Sequence, residues 1–346
     1  MFIRKNVVSI LLVTLMVTTL SSVSFAQVLT LATDPLGTGT YGATAGIGKI
    51  LNEYTKYNVK VKPTTGATEI GPLLAFGEVE LGTMHNWEAE KCWRTDMHYD
   101  EPLQGMNVAP MRIIMGGPPT MVSPVVREDA GIETGADLAG KKYVGVYTGS
   151  ASGLYQSKAA LANFGLSEDD VEIISVPGWG DAIQALIDGR ADAAGTSTPG
   201  QAILKELDAK RGARFLSLDF SPEAIEAYRE WFPASPITVE PSPDLTGVKG
   251  TTNMMYFEDF IIANPDLVKE DMAYELTKAL YENFKELQEL HVNLSRMNIE
   301  GMVSLGASVP YHPGAIKFYK EVGIWTEEAE ALSQKLLALE EELKNQ

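Results

Sequence analysis

Four short loops rich in glycine, serine and threonine carry backbone and side-chain groups that could bind a negatively charged ligand. They span residues 34–40, 64–68, 148–153 and 177–180. Each loop follows a short apolar segment and precedes a helical pattern, so each should lie at a helix start. Helix starts carry unpaired N–H groups with partial positive charge, and glycine lets a ligand approach the backbone. Four such starts around one cleft predict a site for a small organic anion of carboxylate size.

The elements that position these loops occur twice along the chain. A strand–helix–strand–helix–strand pattern extends from Val28 to Met84 and again from Tyr143 to Ala194. The second halves of the two units align without gaps at an offset of 112 residues, and the first halves align near an offset of 110. Reuse of glycine at loop ends in any α/β chain is one explanation. We favour two lobes of one topology that face each other, because ligands bind beyond the carboxyl ends of parallel strands.

The remaining segments complete an α/β fold of two lobes. Met111–Met115 and Asn253–Ala263 have strand patterns and are expected to cross between the lobes. We therefore predict a mixed sheet flanked by helices in each lobe. The first lobe should comprise residues 27–118 and 252–346, and the second lobe residues 119–251.

The N-terminus and the overall charge indicate where the chain works and which partners it lacks. Arg4 and Lys5 precede an apolar run, and small residues follow at Ser24 and Ala26. This order predicts a secretory signal over residues 1–26, cleaved after about Ala26, because the apolar run is shorter than the ~20 residues of a membrane anchor. The formal net charge of −18 argues against nucleic acid as a partner.

No pattern indicates catalysis, a metal or a cofactor. The chain has four histidines and one cysteine, Cys92, with no metal-ligand spacing, phosphate loop or nucleophile elbow. An enzyme that uses Cys92 would need an exposed thiol with a lowered pKa. We therefore expect a non-enzymatic protein.

Several large side chains near the loops have two interpretations. His85, Asn86 and Trp87 end the third strand and should face the cleft, where His85 donates to a ligand or only caps a helix. Trp87 and Trp179 are predicted to pack a ligand's carbon chain, although Trp179 could instead staple its helix.

Charged residues near the loops also have two interpretations. Arg94, Arg112 and Arg127 are candidates for a bidentate grip on a carboxylate, or are surface residues. Glu69 and Glu88 could meet an ammonium, or are acids favoured at helix starts.

Taken in order, five motifs resemble the TAXI family, the solute receptors of one class of TRAP transporters. The motifs are Gly37–Tyr41, Thr65–Glu69, Thr148–Gly153, Gly189–Ala193 and Pro310–Ala315. The resemblance implies a periplasmic binding protein of type II, with two hinge crossovers. It implies a monomer that delivers a carboxylate such as glutamate or 2-oxoglutarate to the permease subunits of a TRAP transporter.

The resemblance also implies which residues contact the ligand. They are Thr38, Gly39, Thr40, Tyr41, Thr65, Gly66, Ala67, Ser150, Ala151, Ser152, Gly153, Thr196, Thr198 and Pro199. Two related functions stay open at this point, namely a receptor for an ATP-driven importer and a periplasmic input protein for a sensor kinase.

Overall fold

The computed structural model describes residues 27–345. The predicted signal at residues 1–26 lies outside this range. Within the range, none of the helices combines the length and apolar character needed to cross a bilayer.

The first repeated unit is a three-stranded parallel arrangement with two helices. Its elements are β1 (Val28–Thr33), α1 (Gly39–Tyr54), β2 (Asn58–Pro63), α2 (Ala67–Ala75) and β3 (Leu81–His85). Strand β1 lies between β2 and β3 and pairs in parallel with both. Helix α1 begins where the Thr38 side chain accepts the Tyr41 N–H at 3.1 Å, and it buries Ile47, Ile50 and Leu51. The carboxyl ends of β1 and β3 therefore lie at one edge of the sheet, where β1 leads into a loop and β3 leads directly into the next helix.

A short helix and a long strand connect the two units. They are α3 (Asn86–Trp93) and β4 (Arg112–Arg127). The strand expected at Met111–Met115 is longer than its pattern indicated, because β4 continues through the Gly-Gly-Pro-Pro sequence at residues 116–119. Gly117 permits close packing there, since a Cβ would clash with the Asp259 carbonyl oxygen.

The second repeated unit has the topology of the first. Its elements are β5 (Lys142–Tyr147), α4 (Ala151–Asn163), β6 (Glu172–Val176), α5 (Trp179–Ile187) and β7 (Ala193–Ser197). Strand β5 lies between β6 and β7 and pairs in parallel with both. Gly66 and Gly178 are the N-cap residues of α2 and α5, which confirms the offset of 112 residues. Thr38 and Ser150 are the N-cap residues of α1 and α4. The first halves of the two units therefore also align at an offset of 112 residues, and not near 110 as predicted.

Four smaller elements and a second long strand follow. They are α6 (Ala202–Arg211), β8 (Ala213–Phe215), α7 (Pro222–Arg229), β9 (Ser235–Val239) and β10 (Thr252–Ala263). Strands β4 and β10 lie side by side and antiparallel. β10 also pairs with β3, whereas the carboxyl end of β4 pairs with β7. The main strand order is therefore β2-β1-β3-β10-β4-β7-β5-β6, with the two long strands joining the two units.

Four C-terminal helices pack on the first unit. They are α8 (Glu270–Glu282), α9 (Phe284–Glu289), α10 (Pro313–Glu321) and α11 (Glu327–Lys344). Asn283 separates α8 from α9, as the C-cap residue of the first and the N-cap residue of the second.

The apolar core is divided in the same way as the sheet. One cluster combines residues from 29–115 with residues from 260–343. The other clusters lie between residues 121 and 257, apart from Trp87. The exact lobe boundaries, 27–118 with 252–346 and 119–251, stay a prediction.

Candidate functional site

A small cavity lies where the two repeated units meet the two long strands. Asp34 follows β1, His85 ends β3 and Ser197 ends β7, and all three line the cavity. The other lining residues are Thr38, Gly39, Thr40, Thr120, Val122, Gln156, Trp179, Thr196, Thr198, Gln201, Phe257 and Asp259. The cavity volume is about 40 Å³, which is room for roughly three water molecules. A larger solute would therefore require the two units to move apart.

Seven of the predicted site residues line this cavity, and they come from the starts of α1 and α5 and from strand ends. They are Thr38, Gly39, Thr40, His85, Trp179, Thr196 and Thr198. Trp179 is partly buried and packs on Tyr147, with ring centroids 4.5 Å apart. An aromatic wall is thus present beside the polar groups, as expected for a ligand's carbon chain.

The other eleven predicted residues are outside the cavity lining. They are Tyr41, Thr65, Gly66, Ala67, Asn86, Trp87, Ser150, Ala151, Ser152, Gly153 and Pro199. Most of them lie outside the lining because the starts of α2 and α4 pack against each other. A Cβ on Gly66 would lie 2.7 Å from the Gly149 carbonyl oxygen, and the Ala151 N–H donates to Thr68 at 3.4 Å. Ligand binding by these residues stays a prediction.

The start of α4 already holds a carboxylate of the chain. The Ser152 N–H donates to Glu88 Oε1 at 3.0 Å. The other oxygen, Oε2, lies 2.7 Å from Nε2 of His98, which donates because a carboxylate only accepts. Glu88 is 0% exposed. The anion site predicted at this helix start is therefore occupied by a side chain of the protein itself.

The ionisation of Glu88 follows from these contacts. Burial raises the pKa of Glu88, but the hydrogen bond from His98 and the other local interactions outweigh burial and hold the pKa below its ordinary value. Glu88 is therefore an ionised acceptor in a dry environment, and the alternative that it meets a ligand's ammonium is not supported by its position.

Trp87 also contributes to packing between the units. Its ring lies 5.0 Å from that of Tyr155 and 5.6 Å from that of Phe232, measured between centroids. It belongs to the cluster of apolar residues on the second unit's side although it lies on α3. Trp87 therefore links the units instead of lining the cavity.

Two carboxyl groups line the cavity, and sequence analysis missed both. Asp259 on β10 is 4% exposed and accepts a 2.5 Å hydrogen bond from Thr120 Oγ1 on β4. Burial raises the pKa of Asp259 to about 7, with Thr120 opposing and the charge of Asp34 reinforcing the rise. Burial raises the pKa of Asp34 to about 6, with Thr40 opposing and the charge of Glu88 reinforcing it. No lysine or arginine of the described chain lines the cavity.

Two buried polar atoms of the cavity wall have no hydrogen-bond partner in the protein. The Glu88 N–H donates to Nδ1 of His85 at 3.4 Å, so the ring hydrogen is on Nε2. That Nε2 is one unpartnered atom, and Ser197 Oγ is the other. Burial lowers the pKa of His85 to about 4, so the ring is neutral at pH 7. His85 therefore caps α3, as one interpretation held, and contributes a buried, unpartnered N–H donor to the cavity wall.

Several other cavity residues were missed, and part of the signal was available. They are Asp34, Thr120, Val122, Gln156, Ser197, Gln201, Phe257 and Asp259. Asp34 directly follows a strand, which is the position that the switch-point rule favours. Phe257 and Asp259, and likewise Thr120 and Val122, are two residues apart on one strand and so share a face.

The candidate arginines are engaged elsewhere. Arg94 lies 3.5 Å from Glu90, and Arg112 lies 2.8 Å from Glu340. Arg127 pairs with Asp129 and Asp192, while Glu69 accepts from Thr65. None of these three arginines lines the described cavity, so none is placed to form a bidentate contact with a ligand there.

The thiol of Cys92 is unsuited to catalysis. Cys92 is 0% exposed, and burial together with the charge of Glu88 raises the pKa of the thiol well above its ordinary value. The non-enzymatic interpretation agrees with this environment.

The comparisons with known proteins identify a family. The family model described as "NMT1-like family" matches residues 31–323. The prediction of the TAXI family is therefore wrong, since the matching model is a different one. The motifs that suggested it, such as Gly37–Tyr41, are individually short, and their glycine, serine and threonine residues suit helix starts in general.

Solved structures support the fold. PhnD1 from Prochlorococcus marinus (MIT 9301) in complex with methylphosphonate is 13% identical, with 76% of this chain and 88% of that chain covered and a TM-score of 0.50. The alkanesulfonate-binding protein SsuA from Xanthomonas axonopodis pv. citri bound to MOPS is 15% identical, covering 91% and 85%, with a TM-score of 0.46. A binding protein component of an ABC phosphonate transporter from Pseudomonas aeruginosa is 12% identical, covering 93% and 98%, with a TM-score of 0.48. At 13% identity the similarity to PhnD1 concerns the fold alone, and it confirms the predicted periplasmic-binding-protein fold.

Proposed function

Because the chain belongs to the NMT1-like family, we propose that it is an extracytoplasmic solute-binding protein whose two lobes close over a small solute. The observation that carries this proposal is the cavity at the junction of the repeated units and the long strands β4 and β10. Two strands that continue from one sheet region into the other form a hinge, which permits closure around a ligand. PhnD1, which shares the fold, holds methylphosphonate.

We further propose that the protein serves an ATP-driven importer. Two kinds of carrier were compatible with the sequence, and the ion-gradient-driven TRAP permease was implied by the TAXI resemblance. With the family now the NMT1-like one, the ATP-driven importer is the better supported partner. The leader pattern at residues 1–26 supports a location outside the cytoplasmic membrane.

Lobe closure is tested by small-angle X-ray scattering once a bound solute has been identified. The protein is purified, the solute that accompanies it is identified by mass spectrometry, and the solute is removed by dialysis in denaturant followed by refolding. Returning the solute should lower the radius of gyration measured by small-angle X-ray scattering, because the units approach each other. A profile that is unchanged at saturating solute would contradict the proposal.

The energy source is tested by uptake. Cells of the source organism that lack the protein are supplied with the purified protein and with the labelled solute, and uptake of the solute is measured. Uptake should stop when ATP is depleted and continue when an ionophore collapses the ion gradients at constant ATP. The reverse pattern would show that the carrier is not ATP-driven, even if the protein binds and closes as proposed.

A further inference from the structure

We propose, on the basis of the proposed binding function, that the solute is a small organic cation whose positively charged nitrogen lies between Asp34 and Asp259, with an acceptor oxygen bound by His85. This assigns an ammonium or amidinium group to the ligand in place of the carboxylate expected from the loops. The assignment rests on the charges of the cavity wall, on its unpartnered donor and on its size.

The charges of the cavity wall are of one sign. Asp34 and Asp259 are its charged residues within the described chain, and they reach it from different elements, the end of β1 and the strand β10. Asp259 is buried and Asp34 is partly buried. Two such carboxylates near each other repel and lose hydration, which a cation between them would offset. The raised pKa values of both groups report the same unfavourable environment in the absence of a positive partner.

The unpartnered donor defines a second feature of the ligand. His85 lines the cavity, its Nε2–H is buried without a partner in the protein, and the residue is 8% exposed. A buried donor without an acceptor is unfavourable, so a ligand oxygen here would remove a cost that the empty site carries. His85 lies directly opposite Asp259 in the β3–β10 register. Such neighbours have Cβ atoms about 5 Å apart, a span that a nitrogen and an oxygen two or three carbons apart can bridge.

The remaining walls limit size and exclude anions. Trp179 and Phe257 supply apolar surface for a short carbon chain, and the cavity volume of about 40 Å³ favours a compact solute. A sulfonate or phosphonate would meet two carboxylates without a basic side chain. The starts of α1 and α5 line the cavity, but any anion bound there would lie beside Asp34 and Asp259, and the start of α4 is occupied by Glu88.

The test uses four solutes that share one hydroxyl group and differ in the charge of the other end. They are ethanolamine, ethylene glycol, glycolate and isethionate, extended to amino alcohols of up to five carbons with the matching diols and hydroxy acids. Calorimetry at pH 8 should show that an amino alcohol binds at least tenfold tighter than its diol and both anions. Preference for an anion or a diol, or no binding by any amino alcohol, would overturn the inference.

Substitutions connect the preference to the cavity. Asp34→Asn and Asp259→Asn should each weaken amino-alcohol binding at least tenfold. Asp169→Asn, which makes the same charge change at an exposed position, should leave binding unaltered. Equal losses in all three variants, or none in the first two, would reject the site. Circular dichroism and urea unfolding verify folding, which the isosteric asparagines should preserve.

A further variant provides an independent measurement if an aspartate variant fails to fold. His85→Phe should weaken ethanolamine binding and leave ethylamine, which lacks the oxygen, unaffected. Loss of both by the same factor would contradict the assigned oxygen contact. Failure of the cation inference is distinguishable from failure of the proposed function. An anion that binds and lowers the radius of gyration overturns only the former, whereas a protein that closes on no solute overturns both.

Discussion

Helices α1 and α4 begin at equivalent places in the repeated unit, yet they have different roles. Thr38 and Ser150 are their N-cap residues, 112 positions apart. The start of α1 lines the cavity, whereas the start of α4 binds Glu88 of the connecting helix α3. The comparison shows that a repeat determines where backbone donors lie but leaves open what they bind.

In the other pair of equivalent helix starts, α2 and α5, it is the start in the second unit that lines the cavity. Gly66 and Gly178 precede α2 and α5, but Trp179 of α5 lines the cavity and Gly66 packs against Gly149. The cavity is thus built diagonally, from α1 of the first unit and α5 of the second. The other diagonal, α2 with α4, forms the direct contact between the units. Breaking each diagonal separately tests this division.

The largest effect is expected at Glu88. Glu88→Ala would leave the buried Ser152 N–H and the partly buried His98 without their acceptor, so we expect the two donors together to lower the free energy of unfolding by about 3–5 kcal/mol. Glu90→Gln on the same helix, which removes a partly exposed pair with Arg94, should change stability by less than about 0.5 kcal/mol. Urea denaturation measures both. A loss below about 1 kcal/mol for Glu88→Ala would show that the packing at the start of α4 does not depend on this carboxylate.

The acids of the cavity predict how stability depends on pH. Asp259 has a pKa raised from 3.8 to about 7, so between those values the folded protein binds more protons than the unfolded chain. The ligand-free protein should therefore lose stability as pH rises from about 4 to about 7, by up to about 4 kcal/mol at about 1.4 kcal/mol per pH unit.

A comparison with a variant isolates the contribution of Asp259. Asp34, His85 and Glu88 also face this region and titrate or carry charge, so the wild-type slope contains their contributions as well. Asp259→Asn should flatten the curve of unfolding free energy against pH over this interval. A variant whose curve runs parallel to that of the wild type would contradict the raised pKa.

The equivalent glycines provide a matched pair of substitutions. Gly66 has φ of 143° and would place a Cβ 2.7 Å from the Gly149 carbonyl oxygen. Gly66→Ala should therefore cost about 1–3 kcal/mol and separate the units. At Gly178 a Cβ would meet only Asp181, at 3.6 Å, and Gly178→Ala should be nearly neutral. Similar unfolding curves and radii of gyration for the two variants would remove the distinction between the diagonals.

The local part of this fold could be predicted from the sequence because short-range patterns determine it. The alternation of strands and helices, the loops after β1 and β5, and the N-cap glycines at 66 and 178 all follow from neighbouring residues. The equivalence of the units followed from the same patterns, since glycines at fixed positions end and begin the helices.

The contents of the site could not be predicted in this way because they depend on distant contacts. Glu88 and Ser152 are 64 residues apart, and Asp259 reaches the cavity only because β10 lies between β3 and β4. Helix-start donors predicted an anion, and an anion is present at α4, but it is a side chain. Composition and periodicity contain no information on which carboxylate lies nearest to a given helix start.

The smallest effect is expected at the cap of α1, where the cavity diagonal begins. Thr38→Ala removes the oxygen that accepts the Tyr41 N–H at 3.1 Å and should cost about 1 kcal/mol. Thr38→Ser keeps that oxygen and should restore stability to within a few tenths of a kcal/mol. Because Thr38 also lines the cavity, thermal unfolding is measured without and with a bound amino alcohol. A serine variant as unstable as the alanine variant would show that the threonine methyl group, and not the cap, stabilises this helix start.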